Sequence, residues 1–492
     1  GFQANRGFME QMMGVKEGLP AELASEFATP GRWERVRDGV RLLGSLAGLV
    51  RNHLTMDRQI RDFYGRLGDA LAAPTVRLDR QRPDELVASY RMLERKLLTR
   101  WDAPLTNDFF AMIFYGVLRK VCERWCGDAD GTIQNDLVGG EGGVVSAEPA
   151  VRVRALAALV REDVTFAEQL RSGSLATVLS AARARPAFWK AYQEYLDRFG
   201  DRCLEELKLE SATLEDDPLP LLRAVGHFAA RSDQAPADHA ANARAAAERK
   251  VAERLGWNPC RRIMFGWVLR NARARVRNRE NLRFERTRLF GRVRRIVMEL
   301  GHRLHAVGML DAARDVFYLE LEELLGFVSG TATCHDLRAL AKARGDAYAH
   351  YRNEEAPADR FPTRGWVGAT NPFTAMASTT VPEVGGDQRK GTGCCPGVVR
   401  GIARVVRDPR GVELPTGSIL VAERTDPGWI MLFPAAAGLV VERGSLLSHS
   451  AIVARELGLP AVVGVPACTS WIVDGDLIEL DGTTGVVRKV QP

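Results

Sequence analysis

The segment Gly438–Gly464, GLVVERGSLLSHSAIVARELGLPAVVG, holds the residues best suited to chemistry. A β-branched run ends at Glu442, a loop with Gly444 and Ser445 follows, and Ser448 stands as the N-cap of a helix that begins at His449. The first turn of a helix offers free backbone N–H groups and the positive end of the dipole. That setting favours a neutral, nucleophilic imidazole and accepts an anion, such as a phosphoryl group, bonded to the ring. A histidine used this way is a covalent carrier that splits one hard transfer into two easier ones. Gly444, Ser445, Ser448 and Ser450 make the loop around it small and hydroxyl-rich. A satisfied structural histidine at a helix start is the plain alternative. Ile452, Val453 and Leu457 give the helix an apolar side, Arg455 and Glu456 are expected to look outward, and Gly458 followed by Pro460 ends it.

A second cluster lies upstream. Arg275, Arg279, Arg283 and Arg286 follow one another at steps of four, four and three, which places them on one helix face. Like charges stacked in this way repel, so the face calls for an anionic partner. Guanidinium groups suit a phosphoryl group, whose transfer is catalysed largely by positioning and charge neutralisation. A solvated face neutralised by Glu280 and Glu285 is the competing reading. Arg202 and Glu206, at i and i+4, share a face if helical; they would orient an acceptor or form a structural ion pair. His302 and His305 make half a metal site that no carboxylate pattern completes, and no metal ligand is assigned.

These residues require two kinds of scaffold. Up to about Tyr351 the pattern is helical, with apolar spacing in Val36–His53, Phe109–Cys126, Leu175–Phe199, Glu285–Ala306 and Asp315–Phe327. Gly139–Gly143 and Asp216–Pro220 read as loops. A Pro-rich stretch follows, taken as a linker or hinge over 354–391. From Thr392 short β-branched runs alternate with turns. Val398–Val406 reads as a strand pair or bent strand, and Ser418–Glu423, Gly438–Glu442, Pro460–Val465, Asp476–Leu480 and Gly485–Val490 as strands. The expected fold class is therefore a large, mainly helical domain over 1–353 followed by a small α/β domain over 392–492.

Composition sets the frame. The chain has 492 residues, 46% hydrophobic and 26% charged, as in a globular protein with more than one core. No stretch approaches the roughly 18 apolar residues of a membrane span. The net charge of +6, from 68 basic and 62 acidic residues, is too slight to imply nucleic acid. Eight scattered cysteines without zinc-type spacing fit a reducing cytoplasm. The chain opens on Gly1 rather than Met, so an upstream segment is expected.

From about Gly393 to its end the sequence resembles the swivelling phosphohistidine domain of the phosphoenolpyruvate-utilising family. The likeness runs through GCCPGVVRGIARVV, the TDP of Thr425–Pro427, SHSAIVARELGLPAVVG and DGDLIELDGTTGVV, with Arg443–Gly444 in place of a usual Gly-Gly. The helical part resembles the acceptor domain of the rifampin phosphotransferases in that family: Tyr195–Glu210, Arg279–Arg283 (RENLR, with Arg283 for a lysine) and Asp315–Leu324. The resemblance implies that His449 takes a phosphoryl group from ATP, held with Mg2+ on an ATP-grasp domain not found in this sequence, either upstream in the same protein or on a separate subunit. His449 would deliver it where Arg279 and Arg283 are the catalytic charge clamp and Arg202, Glu206, Arg275 and Arg286 line the acceptor site. A small organic acceptor, hydrophobic or aromatic, is expected in the helical domain. No membrane or nucleic-acid partner is expected. Too few residues follow His449 for a (β/α)8 barrel of about 250 residues, so a true phosphoenolpyruvate synthase is not expected. The product would be a phosphorylated compound or, as in prodigiosin synthesis, a condensed one.

Overall fold

In the computed structural model of the chain, residues 32–72, 77–128, 131–139, 145, 148–230, 239–354, 386–409, 412, 414–415, 417–446 and 448–490 are described. Most of the expected linker and residues 140–143 of the glycine loop lie outside them. The chain divides into two compact units. One comprises residues 1–63 and 346–385, and its described residues are almost all helical. The other comprises 64–345 and 386–492 and contains the candidate site.

The helices are α1 (Arg32–Leu71), α2 (Pro83–Lys96), α3 (Asp102–Cys126), α4 (Thr132–Val138), α5 (Glu148–Ala158), α6 (Val164–Ser172), α7 (Leu175–Arg183), α8 (Pro186–Phe199), α9 (Leu219–Ala229), α10 (His239–Leu255), α11 (Pro259–Ala306), α12 (Leu321–Ser329) and α13 (Leu337–Arg352). The expected helix Leu175–Phe199 is two helices. Pro186 has no N–H to donate and stands at the first position of α8, where none is needed. Asp315–Phe327 likewise divides into a 3-10 turn, Ala313–Tyr318, and α12. The expected helix Glu285–Ala306 is only the second half of α11, which has 48 residues. Asn258 caps α11 by accepting from the Arg261 N–H at 3.1 Å, with Pro259 at the first helical position. In its second half Leu289, Val293, Ile296, Leu300 and Leu304 are buried at helical spacing. Where Asp201 meets α11 the helix carries Gly291, since a Cβ there would overlap the Asp201 carboxylate.

A second helical core gathers around α5 to α9. Phe166, Phe188, Tyr192, Tyr195 and Phe199 are buried in it, and Phe284 of α11 packs on Phe199 with ring centroids 5.5 Å apart. This aromatic stack fixes the α8 end, and the turn after it, against the Arg-bearing stretch of α11.

The α/β part contains β1 (Gln388–Lys390), β2 (Thr392–Cys395), β3 (Val398–Val405), β4 (Ile419–Ala422), β5 (Gly438–Val441), α14 (His449–Leu457), β6 (Ala461–Val463), α15 (Cys468–Trp471), β7 (Leu477–Asp481) and β8 (Val486–Lys489). They form one sheet in the order β1-β8-β7-β3-β4-β5-β6-β2. The central β3, β4, β5 and β6 are parallel and both edges are antiparallel. β1 falls within the stretch expected as linker. β3 is the bent strand: Val398–Ile402 pairs with β7 and Ala403–Val405 with β4. Gly401 sits at the switch, where a Cβ would stand 2.5 Å from the Gly417 carbonyl oxygen. The four-residue runs of β4 and β5 are buried on both faces, as a parallel sheet requires. Among the described residues no helix is long and apolar enough to cross a membrane.

Candidate active site

The β5–α14–β6 crossover creates the first half of the site. In a parallel sheet the crevice beyond the carboxyl end of a strand, faced by the next helix N-terminus, is where ligands are held. His449 is the first residue of α14 and stands there, 5% exposed. Ser448 caps the helix by accepting from the Ala451 N–H at 3.4 Å, and its hydroxyl meets that of Ser450 at 2.9 Å. The loop closes through the Ser448 N–H on the Ser445 carbonyl at 2.9 Å. Gly444 and Ser445 are exposed, and Gly444 leaves room for the Ser448 hydroxyl and Val463. Arg443, where the family's usual sequence has glycine, pairs outward with Glu423 at 3.2 Å. Gly458 closes the helix at φ 64°.

The second half of the site is on α11. His449 Nδ1 lies 3.3 Å from Glu280 Oε2, and Glu280 is 1% exposed. The other Glu280 oxygen is 3.6 Å from Arg283 Nη1. Burial alone would raise the Glu280 carboxyl; its hydrogen bond to His449, the charge of His449, and then Arg283 and Arg279 outweigh this and hold it at about 2. An ionised carboxylate only accepts, so Nδ1 must carry the proton, and in the neutral ring Nε2 then carries the lone pair. Nε2 is buried and meets no hydrogen-bond partner among the described residues.

The arginines divide by depth. Arg279 Nε is 3.7 Å from Asp108 Oδ1, and burial raises the Asp108 carboxyl against the pull of Arg279, Arg283 and Arg286. Burial and then the charge of Arg283 lower the Arg286 guanidinium. Arg275 is 3% exposed and its carbonyl accepts from Asn107 Nδ2 at 3.0 Å, so it is packed into the α3–α11 contact rather than presented on an open face.

Arg202 and Glu206 do meet, at 2.8 Å, but not on a helix. α8 ends at Phe199, and both residues lie in the turns after it. Glu206 also accepts from the Thr287 hydroxyl at 2.6 Å, and the Arg202 guanidinium lies 5.0 Å from the Phe284 ring centroid. Beside them Glu205, at φ 54°, donates its N–H to Asp426 Oδ2 at 2.9 Å, while Gly428 donates to Oδ1 at 2.8 Å. Burial raises the Asp426 carboxyl, which also feels Glu206 and His449. Asp426 belongs to the TDP segment, so this contact joins the α/β part to the helical part.

One sequence expectation is reversed here. Arg455, expected to look outward, is 5% exposed. Its Nη1 donates to Asn135 Oδ1 on α4 at 3.3 Å and its Nη2 to the Leu446 carbonyl at 2.7 Å. A helical wheel of α14 alone cannot reveal this, because the covering surface comes from a segment more than 300 residues away. Glu280 was legible only as a neutralising neighbour in RENLR; its signal was an acid lodged inside a run of stacked arginines. His305 Nδ1 is within 3.1 Å of the Leu310 carbonyl, a local structural contact.

The site therefore joins a histidine-bearing α/β domain to an arginine-rich helix across a mostly buried contact. Residues 414–485 match the PEP-utilising enzyme mobile domain, and residues 105–280 match the rifampicin phosphotransferase fourth domain. His449 lies in the first match and Glu280 closes the second. The chain thus contains a PEP-utilising enzyme mobile domain and a segment like the fourth domain of the rifampicin phosphotransferases. It is 29% identical over 485 residues to an uncharacterised Mycobacterium tuberculosis protein, covering 95% of this chain and 49% of that one. It is 32% identical over 358 residues to a Streptomyces rifampicin phosphotransferase, covering 70% and 40%. It is 29% identical over 393 residues to the prodigiosin synthesizing transferase of Serratia marcescens, covering 77% and 43%. The chain spans about half or less of the length of these relatives.

Proposed function

We propose that this chain is the carrier and acceptor part of a cytoplasmic phosphotransferase. In this reading residues 1–353 form the acceptor domain, 354–391 the hinge and 392–492 the carrier. ATP and Mg2+ belong to a nucleotide-binding ATP-grasp domain outside this sequence, upstream in the same protein or on a separate subunit. The observation that carries the reading is the His449 ring, held by Glu280 at Nδ1 with its Nε2 unpartnered beside an arginine-rich helix. Nε2 is the atom that takes the phosphoryl group. In the second half-reaction the N–P bond breaks with its electrons returning to Nε2. A new P–O bond forms to the acceptor hydroxyl, whose proton leaves to water. Glu280 keeps the proton on Nδ1 throughout, so Nε2 leaves as a neutral imidazole nitrogen. Arg279 and Arg283, with Arg286 behind them, offset the charge spread over the phosphoryl oxygens. The acceptor is a small organic molecule of hydrophobic or aromatic character.

A second reading keeps the carrier and changes the product. The likeness to the prodigiosin synthesizing transferase and to a chondramide synthase of Chondromyces crocatus favours it. There the phosphoryl group activates one substrate for condensation. Product analysis of the full-length protein with ATP separates the two: a released phosphoester supports the first reading, whereas inorganic phosphate with a joined product supports the second.

A further inference from the structure

We infer that Arg455 is a positioning residue, a latch that registers the histidine loop on the helical domain; the inference rests on the carrier reading above. Arg455 lies on the same helix as His449 but on another side of it. One arm of its guanidinium holds the Leu446 carbonyl of the histidine loop at 2.7 Å. The other crosses to Asn135 Oδ1 at 3.3 Å. Asn135 is itself held from its own domain by the Tyr115 hydroxyl at 2.7 Å, and its Nδ2 reaches back to the Gly393 carbonyl at 3.5 Å. Gln134, the preceding residue of α4, donates to the Tyr115 carbonyl at 2.7 Å. Gly139, just past α4, lies against the Arg455 stem.

A guanidinium this deeply buried has lost its water and must be repaid by hydrogen bonds. Its partner across the boundary is a neutral amide rather than a carboxylate. Such a bond fixes direction without the depth of a buried ion pair, which suits a contact that must open each cycle. Because one planar group holds both loop and partner, the shape of the loop and the docked position are set together. Glu280 then meets Nδ1 only when the loop is closed and the domain is seated.

The contact between the Glu205 N–H and Asp426 Oδ2 provides a remote reporter, since it crosses the same boundary through other elements. Hydrogen–deuterium exchange is measured on this chain as it stands, without any donor domain. Asn135→Ala should speed exchange at the Glu205 amide about tenfold while leaving the Ser448 amide, bonded to Ser445, near its wild-type rate. Arg455→Lys, which keeps the charge but not the two-armed geometry, should speed both. Unaltered melting temperatures show that the fold is retained, and Arg455→Lys carries the test if Asn135→Ala does not fold. Glu205 exchange within twofold of wild type in the folded variants overturns the latch. A His449 that never takes phosphate would refute the carrier reading and leave this exchange result standing.

Discussion

His449 Nδ1 and Glu280 Oε2 stand 3.3 Å apart, although the two residues are 169 positions apart in sequence. Each sits on a different domain, and both are almost wholly buried. The pair is thus both a docking contact and the device that settles which ring nitrogen has the lone pair. An imidazole whose far N–H is held by a carboxylate has a fixed tautomer and orientation.

Replacing Glu280 by glutamine keeps the shape of the contact but removes the charge and the certainty of the tautomer. Turnover of the full-length enzyme should fall about tenfold to a hundredfold, the range seen when the group orienting a functional imidazole is lost. The phosphohistidine should still form from ATP, because Glu280 belongs to the acceptor side. Rapid-quench measurement of the two half-reactions checks this.

Arg283 Nη1 lies 3.6 Å from Glu280 Oε1, the carboxylate oxygen that His449 Nδ1 does not meet. Arg283→Ala should lower the transfer rate by about a hundredfold to a thousandfold, as for loss of a charge-stabilising donor. Arg283→Lys should stay within about tenfold of wild type, since a point charge at that distance serves nearly as well as a fork. Steady-state kinetics of both variants provides the comparison.

The Glu280 carboxyl is held at about 2, below its ordinary value of 4.5. A group whose folded value is depressed contributes stability that is complete above its unfolded value and lost as pH falls toward the folded one. Wild type should therefore melt higher than Glu280→Gln at neutral pH. The gap should begin to close below about pH 4.5 and vanish near pH 2, as thermal unfolding across that range would show.

Arg202, Glu206 and Thr287 form a buried cluster, with the ion pair at 2.8 Å and the hydroxyl bond at 2.6 Å. Arg202→Ala strands a buried carboxylate and should cost about 3–5 kcal/mol. Thr287→Val removes one bond to a charged acceptor and should cost about 1.5–3 kcal/mol. Denaturant unfolding of both variants measures these losses.

The α/β half was the more legible in the sequence. Its strands announce themselves as β-branched runs, and Ser448 and Gly458 mark both ends of α14 with local chemistry that needs no tertiary partner. The bend in β3 was visible as Gly401. What could not be read is whatever another segment supplies. Arg455 is polar and lies on a short amphipathic helix, so it reads as solvated until Asn135 is placed over it. Arg275 keeps the spacing of its fellow arginines, yet α3 covers it. Arg202 and Glu206 have helical spacing without a helix, because α8 stops at Phe199 and the chain turns through Glu205 in a left-handed conformation. Proline positions decided the rest: Pro186 divides what apolar periodicity alone joins.

The central claim is that His449 Nε2 takes up the phosphoryl group. Incubating the full-length protein with γ-labelled ATP and Mg2+, then mapping acid-labile phosphate by mass spectrometry under alkaline conditions, tests it directly. One phosphate per chain on the His449 peptide, chased away by acceptor and absent from His449→Ala, is the expected result. Label that survives in His449→Ala, or turnover of the acceptor without any labelled His449, would contradict it.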